Sequence, residues 1–203
     1  SFRFYICSKY QIMIDNHKRS LALQKDLLSS DKESVIRGIR DVAKYGSPAI
    51  VHHLLIATFK SGFPEALEEG KKVLYSIKDQ NAVGELIDAL KGNFFQEFRS
   101  VIAASIWEAG LNAEDRLIDL VEIAVSSDYM TIVEITTIIE NIESGFPYDE
   151  VTEASLIINE HLHEIEDENR ASLLSSLAKT LNSMAAEWFK FVSDLFSNLE
   201  YTK

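Results

Sequence analysis

Proline and glycine are scarce in this sequence, which has three prolines and eight glycines among its 203 residues. Most of the glycines lie between runs of apolar residues rather than inside them. A chain rich in β-turns would need more of both residue types, because they supply the backbone conformations of turns. Their scarcity favours helices over a turn-rich sheet.

Cysteine is nearly absent. The single cysteine, Cys7, cannot form an internal disulfide, and one thiolate cannot build a zinc site made of cysteines. A reducing compartment is therefore predicted, and we expect the protein to be cytoplasmic.

Long apolar runs are missing as well. No stretch approaches the roughly 20 uncharged apolar residues of a membrane-spanning helix, so no membrane partner is predicted. Residues 1–14 lack the apolar core and the small-residue cleavage site of a secretory signal. Met13, which precedes a polar run, is a candidate natural start. The hypothesis is that residues 1–17 form an N-terminal extension of which residues 1–12 are not native.

Basic residues are absent from one long stretch. Residues 117–169 contain 14 Asp and Glu but no Lys or Arg. Residues 1–116 and residues 170–203 each carry a net charge of +1. The formal net charge of −12 therefore originates in this stretch. Such a surface repels phosphate backbones and attracts basic protein segments, so no nucleic-acid partner is expected.

Apolar residues recur at helical spacing through most of the chain, as in Val35, Ile39 and Val42. Each such stripe is one face of an amphipathic helix. Residues 130–142 are rich in Thr and Ile, which suits a strand, but their helical periodicity favours a helix. Helices are predicted at residues 18–29, 32–45, 48–60, 64–77, 80–91, 95–109, 113–126, 129–143, 148–165 and 170–199, the last with a break near Asn182.

The helices are predicted to form a repeat. Gly46, Asp79 and Gly110 each follow one helical stripe and precede another, at separations of 33 and 31 residues. A period of about 30 to 35 residues that holds two helices is typical of a solenoid. Ser-Gly-Phe-Pro occurs twice, beginning at Ser61 and Ser144, and is interpreted as a recurring turn.

Residues 79–91 (DQNAVGELIDALK) and 98–110 (FRSVIAASIWEAG) resemble the second helix of one HEAT repeat and the first helix of the next. The resemblance covers about residues 30–165. It implies an all-α fold, an α-α superhelix of antiparallel helix pairs, as a single domain at residues 18–203 with C-terminal capping helices at 170–199. It also implies a non-catalytic scaffold for protein–protein interaction, whose second helices line a concave surface.

An enzyme is the alternative. HEAT-like folds include enzymes, and a chromophore-modifying or small-molecule-modifying protein of the bilin-lyase type is one such possibility. The sequence lacks a Gly-rich phosphate loop, a nucleophile elbow and a His-Glu-x-x-His pair. We therefore expect neither catalysis nor a cofactor.

Acidic residues lie between the inward apolar positions of the predicted second helices. Together they would form an acidic surface that binds a Lys- or Arg-rich protein segment. The alternative is that these charges only keep the helix array soluble. The predicted partner-binding acids are Glu85, Asp88, Asp119, Glu122, Glu150, Glu153 and Glu160.

Two groups of residues are candidate metal ligands. His52 and His53 are adjacent, so their side chains point about 100° apart on a helix and cannot readily chelate one ion. Glu160, His163 and Glu164 lie at one-turn spacing, but a solvated acidic face is the simpler interpretation. No metal site is predicted.

The C-terminal segment carries several large apolar residues. They would cap the last repeat or mediate a homodimer, because a terminal solenoid helix usually has a polar outer face. The predicted apolar contact residues are Trp188, Phe189, Phe191 and Phe196.

Overall fold

The computed structural model of the protein describes residues 17–200, with the backbone alone for residues 187–200. All the regular structure within this part of the chain is helical. Short 3-10 turns at Pro48–Ile50 and Gln96–Phe98 lead into α3 and α6. The helices are α1 (residues 17–27), α2 (Lys32–Tyr45), α3 (Val51–Lys60), α4 (Pro64–Leu74), α5 (Ala82–Lys91), α6 (Arg99–Glu108), α7 (Leu117–Val125), α8 (Tyr129–Glu140), α9 (Tyr148–Leu162) and α10 (Glu168–Glu200).

The all-α prediction is confirmed, and the predicted helix bounds agree with the structure to within a few residues. Residues 130–142 lie mostly in a helix, α8, as their periodicity indicated. The break expected near Asn182 is wrong, because α10 continues through it. Neither glycine nor proline occurs in α10, and Asn182 and Ser183 face solvent, where polar side chains do not interrupt a helix.

Both copies of Ser-Gly-Phe-Pro form the same kind of turn. Gly62 and Gly145 have φ values of 77° and 71°, a left-handed conformation that favours glycine. The proline of each copy then leads into a helix, since Pro64 is the first residue of α4 and Pro147 precedes α9. The motif is therefore a recurring turn between helices.

The chain divides into two compact units. Unit 1 comprises residues 17–89 with Glu108–Leu111, and unit 2 comprises Leu90–Trp107 with residues 112–200. In unit 1, α2 packs against α3 and α4, and α3 packs against α4. In unit 2, α7 packs against α8 and α9, and α10 packs against α8 and α9. Helices α2 and α7 thus each contact both the next helix along the chain and the one after it.

Burial follows the same pattern in alternate helices. Five positions are buried in α3, and the corresponding five are buried in α5 and α7, at separations of 32 and 34 residues. In α9 the pattern continues 34 residues after α7 at four of these positions. The matching residues are Val51, Leu54, Leu55, Ala57 and Thr58 in α3; Val83, Leu86, Ile87, Ala89 and Leu90 in α5; Leu117, Leu120, Val121, Ile123 and Ala124 in α7; and Val151, Ala154, Ser155 and Ile158 in α9.

Ion pairs join α2 to α4 in unit 1. Lys32 lies 2.9 Å from Glu65, and Arg40 lies 3.1 Å from Glu69, which also pairs with Lys72. The hydrogen bond from Lys32 holds the pKa of Glu65 below its ordinary value, and the bond from Arg40 has the same effect on the pKa of Glu69. Both carboxylates therefore stabilise the fold in their charged form.

The pH dependence of stability tests these pairs. A carboxylate with a lowered folded-state pKa stabilises the fold above its unfolded pKa, about 4.3 for glutamate, and loses this contribution as the pH falls through the folded value. Glu65→Gln/Glu69→Gln should therefore be less stable than the unchanged protein near pH 6, and this difference in stability should shrink as the pH falls toward 3. Urea unfolding at both pH values checks this, and a difference that does not shrink would contradict it.

Candidate acidic binding surface

Acidic residues occupy the same two positions in α5 and α7, as judged from the shared burial pattern, and in α9 the first of these positions is also acidic, at Glu153. We call Glu85 and Asp88 the α5 pair, Asp119 and Glu122 the α7 pair, and Glu150 and Glu153 the α9 pair. In each pair the first carboxylate is half-buried and the second is exposed. The two are three residues apart, so their side chains share one face of the helix. Five of the seven acids predicted from the sequence thus lie at recurring positions, namely Glu85, Asp88, Asp119, Glu122 and Glu153.

The α7 pair binds a cation from the same chain. The ammonium of Lys91, at the end of α5, donates a hydrogen bond to Asp119 Oδ1 and lies 3.6 Å from Glu122 Oε2. Arg116 lies 3.2 Å from the other oxygen of Asp119, Oδ2. The hydrogen bond to Asp119 raises the pKa of Lys91, so the lysine remains charged. Two of the predicted partner-binding acids are therefore already engaged within unit 2.

The α9 pair has no cation bound to it. The carboxylates of Glu150 and Glu153 form no hydrogen bond or ion pair with the part of the chain that the structure describes. Glu153 is followed on the same face by Leu156, whose side chain is 57% exposed, and by exposed Glu160. This face of α9 therefore combines uncompensated negative charge with an exposed apolar side chain.

The α5 pair lies in unit 1. Asp88 is exposed and Glu85 is half-buried, and neither carboxylate has an ion-pair partner among residues 17–186. The predicted acids are thus divided between the two units, with the α5 pair in unit 1 and the remaining five in unit 2.

Sequence reasoning missed Lys91 and Arg116 as parts of this surface. The prediction included only acids, whereas Lys91 and Arg116 both pair with Asp119 and so neutralise part of the negative charge. The separation between Lys91 and Asp119 is 28 residues, close to the spacing of the helix pairs, and this could have indicated a contact between them. Three further contacts have similar separations: Lys78 with Ala109 (31 residues), Trp107 with Glu134 (27) and Ser144 with Glu114 (30).

His52 and His53 lie in α3, and His163 directly follows α9. Glu160, His163 and Glu164 are all exposed at the end of α9. Within residues 17–186, no group of three or more His, Cys, Asp or Glu side chains is arranged to hold a metal ion. In α3, burial lowers the pKa of His53, and the ring of His52 contributes to the shift.

Trp188, Phe189, Phe191 and Phe196 lie outside the residues whose side chains the structure describes. The predicted apolar contact through the C-terminal segment therefore stays a prediction. Nearer the start of α10, the buried residues are Leu174, Leu177, Ala178 and Leu181.

Unit 1 contains a cavity of about 230 Å³ among α2, α3, α4 and the start of α5. Its wall is mostly apolar and includes Val42, Ile50 and Leu54. Lys78 lies on the wall and donates a hydrogen bond of 3.0 Å to the carbonyl oxygen of Ala109. Asp79, also on the wall, accepts hydrogen bonds from Asn81. Lys78 and Asp79, two of the charged residues on the wall, therefore have partners within unit 1.

None of the helices in the described part of the chain has the length and apolar content needed to cross a bilayer. No protein-family model matches the chain, and no curated protein or solved structure is detectably similar to it. A functional proposal therefore depends on the residues of this chain.

Proposed function

We propose that this chain is a non-catalytic scaffold of the α-solenoid kind, which binds a basic segment of another protein. The contacts of α2 with α4, α7 with α9 and α8 with α10 support the solenoid, because each helix of a two-helix repeat packs against its counterpart in the next repeat. Burial that recurs every 32 to 34 residues in α3, α5, α7 and α9 supports it too. With a single cysteine in the sequence, a cytoplasmic location is part of the proposal.

The recurrence of acids on the helices carries the proposal. Charges that only kept the protein soluble could lie at any exposed position, whereas acids return to the same two positions in α5 and α7 and to the first of them in α9, at Glu153. In unit 2, α7 and α9 pack against each other and both carry acids, and such a surface is suited to a partner that carries several cations. In unit 2, the α9 pair is the part of this surface that no described cation neutralises.

Charge reversal tests the proposal. The probe is a capped synthetic peptide with a lysine at every third position and alanine elsewhere, which we call the lysine peptide. Glu150→Lys/Glu153→Lys should weaken binding of the lysine peptide by about tenfold, because each reversal replaces an attraction worth about 0.2–1 kcal/mol with a repulsion. Fluorescence anisotropy at low salt measures the affinity for the lysine peptide. The loss of affinity at high salt measures how much of the binding is electrostatic.

A matched control separates local binding from net charge. Glu140→Lys/Glu143→Lys makes the same change in net charge at two exposed acids outside the pairs. The proposal predicts a much smaller loss of affinity in this control, since long-range attraction is screened by salt. Equal losses in the two double variants would show that the lysine peptide senses net charge alone and would refute the proposed site.

A further inference from the structure

The inner end of the cavity in unit 1 is apolar. It is lined by buried side chains that carry no polar atom, namely Val42, Ile50, Leu54, Val73 and Ala82. A water molecule held inside a protein needs about two to four polar partners, and these side chains offer none. An apolar group is therefore the occupant that this end of the cavity favours.

A small residue at the start of α5 leaves part of this space open. The burial patterns of α3 and α5 are offset by 32 residues, and at this offset Ala82 corresponds to Ile50. Both residues are buried and both line the cavity, but the alanine side chain has three fewer carbon atoms. The helix pair α4–α5 thus leaves open a position that the pair α2–α3 fills.

The outer end of the cavity is polar and open to solvent. The exposed polar side chains that line it include Lys44, Ser47 and Ser76. Lys44 lies in the last turn of α2, and its ammonium forms no hydrogen bond or ion pair with the described residues. Lys78 and Asp79 also lie on the wall, but both bind groups of unit 1. Lys44 is therefore the charged residue of this wall that has no partner in the described part of the chain.

We propose that this cavity is a binding site for a small carboxylic acid, whose apolar chain occupies the inner end while its carboxylate pairs with Lys44. A carboxylate is charged at pH 7 and complements the ammonium of a lysine. Unit 1 contains none of residues 117–169, whose acids give the chain its net negative charge. The site does not depend on the proposed function, because it involves neither the acidic surface nor a protein partner.

The volume of the cavity limits the size of the ligand. An internal cavity of about 150 Å³ binds benzene, which has six carbon atoms. In proportion, the cavity of about 230 Å³ holds about nine carbon atoms. The ligand is therefore an acid of medium chain length, and octanoate is the probe that matches this size.

Titration of the full chain with straight-chain carboxylates tests the site. Each further methylene from butanoate to octanoate should tighten binding by about two- to fourfold, and the gain should stop beyond about ten carbon atoms. Amide NMR follows each titration, and octanoate should shift signals of α2, α3 and α4. If octanoate shifts none of these signals, or if the affinity keeps rising up to dodecanoate, the proposal is wrong.

Comparison with octan-1-ol, which has no charge, tests the role of Lys44. Lys44→Met should weaken binding of octanoate by about two- to fivefold, as expected for an ion pair near the surface, and should leave binding of octan-1-ol unchanged. Lys44→Arg keeps the cation and should bind octanoate as tightly as the unchanged protein. Lys25→Met is the matched control, because Lys25 is exposed on α1 and does not line the cavity. Equal losses in Lys44→Met and Lys25→Met, or equal losses for the two ligands, would contradict the proposal.

Ala82→Ile tests the inner end of the cavity, because isoleucine at this position should occupy part of the space. The variant should bind octanoate and octan-1-ol at least about tenfold more weakly, since room for three carbon atoms is lost. Its urea midpoint should equal or exceed that of the unchanged protein, because filling a void does not strain the core. Unchanged binding of octanoate, or a lower urea midpoint, would show that the space beside Ala82 is not a binding site and would overturn the proposal.

Discussion

Gly70→Ala should lower the free energy of unfolding by about 2–3 kcal/mol, although alanine is the better helix former by about 1 kcal/mol. Gly70 is buried in α4, where the helix crosses α3 at Thr58. A Cβ atom at this position would lie 2.0 Å from Thr58 Oγ1 and 2.7 Å from Thr58 Cβ. Rotation of the threonine cannot move its own Cβ, so α3 and α4 would have to separate.

Urea unfolding followed by circular dichroism measures this effect. Glu68→Ala is the matched control, since Glu68 is an exposed residue of the same helix and should change stability by less than about 0.5 kcal/mol. Thr58→Ala/Gly70→Ala should be less destabilised than the sum of its single variants, because the atoms at 2.0 and 2.6 Å are gone. A Gly70→Ala protein at least as stable as the unchanged one would show that the two helices do not touch here.

Much of the fold could be predicted because it follows from local sequence. Apolar spacing indicated the helices, including the Thr- and Ile-rich α8, and the turn residues indicated where most of them end. The continuation of α10 through Asn182 could not be predicted in this way. Asn and Ser are only mildly unfavourable inside a helix, and the outcome depends on whether they face solvent or a neighbouring helix.

The positions of the acids on their helices were also predictable, because periodicity distinguishes inward from outward residues. The structure buries the residues expected to face inward beside them, such as Leu86, Leu120 and Val151. The pairing of Lys91 with Asp119 and Glu122 was not predicted. It depends on which turns of separate helices lie side by side, and this information is not local in the sequence.

A buried arginine, Arg99, departs from the pattern of buried residues that α2, α4, α6 and α8 share. Val35, Ala66 and Ile132 occupy one equivalent buried position in α2, α4 and α8, and Arg99 occupies it in α6, where it is only 6% exposed. Its Nη2 group lies 3.4 Å from the carbonyl oxygens of Lys91 and Gly92. Helix α5 ends at Lys91, so these carbonyls lie at its C-terminus, where a cation is favourable.

Arg99→Ala should therefore destabilise the protein by about 3 kcal/mol, because the end of α5 loses its donor and the side chain leaves a void. Arg99→Met, which refills most of the volume without a donor, should recover only part of this loss. Thermal and urea unfolding of both variants measure the two contributions separately. If Arg99→Met recovers the full free energy of unfolding, the arginine stabilises the fold by packing alone. If part of the loss remains, that part comes from the hydrogen bonds to the carbonyl groups at the end of α5.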